Sequence, residues 1–134
     1  MTDDNQVIGL LGIWQFKKFN FIEHFAVRED LRGQGLGSQM IQDYAKSDAK
    51  PIVLETERPK TKIAKRRIGF WQRNGFILNE YDYIQPPYSP EKYPVPMFLM
   101  SKPHPLTPEE FESYRTSIHT AVYERKSPLV KIKI

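Results

Sequence analysis

The sequence predicts an α/β fold built on a mixed sheet, and three observations carry that prediction. An apolar strand pattern, Phe21–Val27, runs into a glycine-rich turn and out of it into a helical pattern of Leu36, Met40, Ile41 and Tyr44. A β-rich run, Ile52–Thr56, follows, so strand, helix and strand form a βαβ unit whose two strands lie parallel. Further strand-like runs flank the unit, which adds antiparallel neighbours to the same sheet. A chain of 134 residues supports one domain, 1–134, with its core over 6–101.

Residues 1–5 are polar and are expected to fray. Val7–Phe16 reads as a strand interrupted by Gly9 and Gly12, and Lys17-Lys18 turns it into an antiparallel pair with Phe21–Val27. The helix after the glycine turn covers about Gly35–Lys46, and Asp48-Ala49-Lys50-Pro51 breaks it. A second helix spans about Thr61–Arg73 and ends at Asn74-Gly75, with glycine where a left-handed cap is wanted. Phe76–Ile84 is a strand. Pro86, Pro87, Pro90, Pro94 and Pro96 then force an irregular loop, and Met97–Ser101 returns as the hairpin partner. Thr107-Pro108-Glu109-Glu110 is a strong helix start: an N-cap, proline in the first turn and a glutamate to close a capping box. From it a helix of about 108–126 places Phe111, Tyr114, Ile118, Ala121 and Val122 on one apolar stripe. The tail Leu129–Ile134 adds an edge strand.

Composition narrows the chemistry. With no cysteine, disulfides, thiolate metal sites and a cysteine nucleophile are excluded, which fits a cytoplasmic location. No run reaches the length of a membrane span, and the start lacks the layout of a signal peptide. His24, His104 and His119 have no metal-ligand spacing. The net charge of +4 is modest, and its densest part is Lys60, Lys62, Lys65, Arg66 and Arg67. A solvated helix face is the plainer reading of that cluster and nucleic acid the weaker one.

The glycine turn, Arg32-Gly33-Gln34-Gly35-Leu36-Gly37-Ser38, is where chemistry concentrates. Backbone amides and the dipole at a helix N-terminus attract anions, and glycine lets the backbone approach a bulky phosphate. A nucleotide P-loop requires lysine and a hydroxyl residue after its last glycine; here Gly37-Ser38 is followed by Gln39. A dinucleotide fingerprint requires a tighter first turn than Val27–Gly33 and a succession of βαβ units that is missing here.

A third reading accounts for more residues. Val27–Ser38 resembles the acetyl-CoA signature of the GNAT superfamily of N-acetyltransferases, Arg/Gln-x-x-Gly-x-Gly/Ala, matched by Arg32 through Gly37. Arg67–Phe76 resembles that family's Phe-Tyr-x-x-x-Gly-Phe segment. The resemblance implies a GNAT-like sheet with a central splayed parallel pair, a bulge at the end of the strand before the turn, flanking helices and an additional C-terminal helix. It implies acetyl-CoA as donor. Arg32, Gly33, Gln34, Gly35, Leu36, Gly37 and Ser38 would hold the pyrophosphate, Phe25, Ala26 and Val27 the pantetheine arm, with Trp71 beside it and Lys62, Lys65 and Arg66 at the adenosine phosphates. The acceptor would be a small-molecule or peptide amine, attacking directly in a ternary complex.

Acetyl transfer to an amine needs a base, a polarised carbonyl and a proton for the departing sulfur. Glu23 is the leading base: it lies within an otherwise apolar strand and, by strand period, shares a face with Phe25 and Val27, with His24 opposite. Glu55 and Glu57 lie on one face at the end of the parallel strand, a site for a cationic acceptor. Trp71 stands where the family commonly has a proton-donating tyrosine, which leaves Tyr83, Tyr88 or water as the proton source. The family also begins with a strand, two helices and a second strand before the equivalent of Val7. On that comparison this sequence is an abbreviated member. The resemblance then implies that the C-terminal helix or a second copy of the chain, as a homodimer, would complete the acceptor site; the alternative is a CoA-binding or oligomerisation module with impaired chemistry.

Overall fold

The computed structural model describes residues 2–3, 6–124 and 130–133. Its centre is a six-stranded sheet in the order β6-β7-β5-β4-β3-β8, formed by β3 (Gly9–Gln15), β4 (Asn20–Val27), β5 (Ile52–Glu57), β6 (Ile77–Gln85), β7 (Val95–Lys102) and β8 (Val130–Lys133). β4 and β5 run parallel and every other pair antiparallel, as the βαβ reading requires. β8 is the edge strand expected of the tail, although Leu129 and Ile134 lie outside the described residues. The start of the chain, expected to fray, instead pairs β1 (Thr2–Asp3) with β2 (Gln6–Val7) in a short separate antiparallel ladder.

Two layers of helix sandwich the sheet. α1 (Leu36–Ser47) and α2 (Lys62–Arg73) cover one face, where Met40, Ile41, Tyr44 and Ile68 pack on Leu11, Ile13, Leu54 and Met100. α3 (Pro108–Ile118) covers the other, setting Phe111, Tyr114 and Ile118 against Trp14, Phe21, Val53 and Leu99. Adjacent residues Val53 and Leu54 thus enter opposite cores, which explains why the central parallel strand reads as a continuous apolar run. Each such side chain stabilises the fold by about 1.5–3 kcal/mol on burial.

The helix ends follow the sequence closely. Thr61 Oγ1 accepts the Ala64 amide at 3.0 Å at the start of α2, and Gly75, at φ +90°, closes its end. Thr107 and Glu110 form the full capping box that starts α3, with Pro108 in the first turn. The C-terminal helix departs from expectation past Ile118: an ordinary α-helix gives way to a π-turn over His119–Tyr123, and residues 125–126 lie outside the described residues.

Strand pairing opens the centre of the sheet. β4 and β5 pair at Asn20↔Ile52, Phe21↔Val53 and Ile22↔Leu54, and no further. Beyond that point β4 stays with β3 and β5 with β7, so the parallel pair is splayed. Against β3, Gly12 pairs with His24 and Ile13 with Ile22, which leaves Glu23 as the extra residue of a β-bulge. The bulge therefore sits at Glu23, in mid-strand, rather than at the strand end near Val27.

Candidate active site

The glycine turn forms an open cradle. Arg28–Arg32 make a tight loop, with a 3₁₀ turn at Glu29–Leu31 and the Arg32 Nε bonded to the Val27 carbonyl at 3.3 Å. Gly33 (φ +85°) and Gly35 (φ +76°) adopt left-handed conformations that side chains resist, and a Cβ on either would project into open space. Gly35 caps α1 without a side-chain partner, and the first backbone bond of the helix runs from Gln39 N to Gly35 O. The amides of Leu36, Gly37 and Ser38 therefore lead the helix with no acidic residue beside them, an arrangement suited to a diphosphate. Lys62, Lys65 and Arg66 are exposed on α2.

The second sequence block closes on the first. Phe25 of β4 stacks near Phe70 (5.7 Å between ring centroids) and Trp71 (5.3 Å) of α2. A Cβ on Gly37 would stand 3.0 Å from Phe25 Cζ and 3.4 Å from Phe70 Cζ, so glycine there lets α1 sit against this aromatic group. Together Ile22, Phe25, Leu54, Phe70 and Trp71 line a cavity of about 460 Å³ at the splay, with Glu23, Glu55 and Arg67 as its polar members. Its mostly apolar walls and proximity to the cradle fit a pantetheine arm, and β4 beyond Ile22, where its pairing with β5 ends, supplies backbone groups for it. The residues present therefore fit acetyl-CoA.

Both carboxylates, Glu23 and Glu55, line that cavity. Glu23, its side chain 1% exposed, accepts hydrogen bonds from Trp14 Nε1 (2.9 Å) and the Tyr88 hydroxyl (2.9 Å). Its carboxylate lies 3.6 Å from His24 Nε2, so the bulge has brought Glu23 and His24 together rather than opposite. The same bulge separates Glu23 from the face of Phe25 and Val27: Trp14 belongs to the core under α3, Phe25 and Val27 to the core under α1 and α2. Glu55 accepts from Gln85 Nε2 (2.9 Å), the Tyr123 hydroxyl (2.6 Å) and the Tyr83 hydroxyl. Burial pushes the Glu55 carboxyl above its ordinary range, against the pull of those three donors. Burial and then Glu55 itself push the Tyr83 and Tyr123 hydroxyls well up, while burial and Glu23 push Tyr88 to about 12.

Glu57 departs from the expected acidic pair with Glu55. It is bound by Arg67 at 2.9 Å, so a cation from α2 already neutralises it. Glu23, Glu55 and Tyr83 do converge, and Tyr88 joins them from the proline-rich loop. Trp14, Gln85 and Tyr123 are the members that the sequence reading missed. Tyr123 falls one residue beyond the apolar stripe of α3, and no local pattern announces the π-turn that carries it.

Comparison with known proteins gives the family and the fold. The family model for the acetyltransferase (GNAT) domain matches residues 1–78. A solved protein from Bacteroides thetaiotaomicron, assigned to the GNAT acetyltransferases, is 43% identical, with a TM-score of 0.83 over 92% of this chain and 70% of its own. A GNAT family acetyltransferase from Elizabethkingia anophelis, solved with acetyl-CoA bound, shares the fold at 19% identity and a TM-score of 0.54, over 75% of this chain and 71% of its own. A curated relative assigned as an acetyltransferase, YjbC of Bacillus subtilis (strain 168), is 38% identical over 69 residues, 50% of this chain. The chain spans 35% of that relative's length.

Proposed function

Since the chain belongs to the GNAT acetyltransferase family, whose donor is acetyl-CoA, we propose that it acetylates a primary amine by direct attack in a ternary complex. The observation that carries this reading is that Glu23 and Glu55, one from each strand of the splay, line the same cavity beside the glycine cradle. When bound, acetyl-CoA supplies the thioester carbonyl that the amine attacks.

Each residue then has a task. The amides of Leu36 to Ser38 bind the pyrophosphate, with the α1 dipole behind them. Phe25, Phe70 and Trp71 exclude water from the cavity, which strengthens every electrostatic interaction inside it. Glu23 takes the proton of the attacking amine at its carboxylate, a contribution of about 10²–10⁴-fold for a well-placed base. Glu55 attracts the cationic form of the acceptor. Of the two tyrosines, Tyr83 is fully buried with its hydroxyl donating to Glu55 and so orients that carboxylate. Tyr88 is 47% exposed and stands on Glu23, the better place from which to hand a proton to the departing sulfur.

The test is release of CoA thiol from acetyl-CoA in the presence of spermidine, an aminoglycoside or a lysine-containing peptide. The chain has no cysteine, so a thiol reagent reports the product alone. Release with one of these amines is expected, with kcat falling roughly 10²–10⁴-fold in Glu23→Gln while acetyl-CoA still binds in calorimetry. A protein that binds no acetyl-CoA at millimolar concentration overturns the reading. Full activity in Glu23→Gln removes Glu23 from it.

A further inference from the structure

We propose that Tyr123 is a positioning residue of the acceptor site, and that the π-turn carrying it serves to set its hydroxyl on Glu55. This rests on the reading of Glu55 as an acceptor-site carboxylate. The stripe Phe111, Tyr114 and Ile118 sinks into the core at ordinary helical spacing. At His119 the helix widens, and the Glu124 amide reaches the His119 carbonyl at 3.2 Å. Such turns are rare and gather at functional sites, because an i→i+5 turn sacrifices regular helix geometry for the placement of one side chain.

The widening does not loosen the core, since Ala121 and Val122 stay buried within it. What it adds is the Tyr123 hydroxyl, 2.6 Å from Glu55 Oε1 across 68 residues of sequence. Tyr83 and Gln85 hold the same carboxylate from β6, within the sheet. Tyr123 alone among these three donors reaches it from the helical layer. Its ring also lies 5.0 Å from that of Tyr88, whose hydroxyl holds Glu23. One phenol thus bears on both carboxylates, directly on Glu55 and through a neighbour on Glu23. The other titratable or charged groups that face this arrangement are Glu23 from β4, Tyr83 from β6, Tyr88 from the loop, Arg67 from α2, and His119 and Arg115 from the C-terminal helix.

The experiment is a carbon-13 titration of the glutamate carboxyls, with the Glu55 signal assigned by its loss in Glu55→Gln. In Tyr123→Phe the ring remains and one donor to the ionised carboxylate is lost, so the Glu55 midpoint is expected to rise by roughly 0.5–1 pH unit. The acid limb of kcat/KM with any amine turned over moves the same way, while acetyl-CoA affinity stays put. A role in packing alone would lower the melting temperature and leave the midpoint where it was, and that result overturns the proposal. 3-Fluorotyrosine labelling of the parent chain reads the same contact without a substitution. The Tyr123 fluorine signal follows the Glu55 titration, and a signal that ignores it also overturns the proposal. Failure of every amine to release thiol would instead overturn the acetyltransfer reading, and the titration would still decide whether Tyr123 sets Glu55.

Discussion

The Asn74 side chain donates to Ser38 Oγ at 3.1 Å, fastening the end of α2 to the first turn of α1 behind the glycine cradle. The two sequence blocks that carry the family resemblance are therefore in direct contact. Asn74 also donates to the Phe70 carbonyl at 2.9 Å and accepts from Gln42 at 3.3 Å, and it is 4% exposed.

Asn74→Ala removes hydrogen bonds to part-buried groups of two helices, which should destabilise the fold by about 1 kcal/mol. Acetyl-CoA affinity should fall with it, because Ser38 loses its anchor. Urea unfolding and calorimetry on the same variant check both. A destabilised variant with unchanged affinity would show that the cradle holds its shape without α2.

Gly35→Val tests the cradle itself. The residue sits at φ +76°, so a branched side chain adds strain of about 1–2 kcal/mol, yet its Cβ meets no atom of the protein within 4 Å. The fold should survive with a lower melting temperature, and acetyl-CoA affinity should drop by at least about 100-fold because the side chain fills the space suited to the diphosphate. Unchanged affinity would mean that the pyrophosphate is bound elsewhere.

Glu55→Gln should stabilise the protein in a pH-dependent way. Burial raises the Glu55 carboxyl in the folded state, so this group favours folding when protonated and costs stability as pH rises through its folded value. The amide mimics the protonated form, and the hydroxyls of Tyr83 and Tyr123 can turn to suit it. The gain in melting temperature should therefore be present at pH 8 and absent at pH 4; for a domain of this size about 4 °C corresponds to ~1 kcal/mol. Equal gains at both pH values would sink the argument. Loss of turnover alongside the gain is the expected companion, since functional sites commonly trade stability for activity.

By itself the sequence determined what local chemistry determines. Glycine at positions 33 and 35 marked a turn needing positive φ, and Thr107 with Glu110 marked a capped helix start. The unbroken apolar run at Ile52–Leu54 marked a strand buried on both faces, and the spacing of strand, helix and strand made it parallel to β4. The glycine cradle was legible because it is backbone and glycine, contiguous along the chain. The carboxylate cluster was not. Strand period put Glu23 beside Phe25 and opposite His24, but the bulge at Glu23 exists only in the pairing of β4 with β3, and it reversed both relations. Tyr88 reaches Glu23 across 65 residues and Tyr123 reaches Glu55 across 68, through an irregular loop and a π-turn that no periodicity marks. Local patterns settle which way a backbone runs. Which side chains share a buried charge is settled only when distant elements pack, because burial, and the hydrogen bonds that make it tolerable, belong to the assembled sheet and helices.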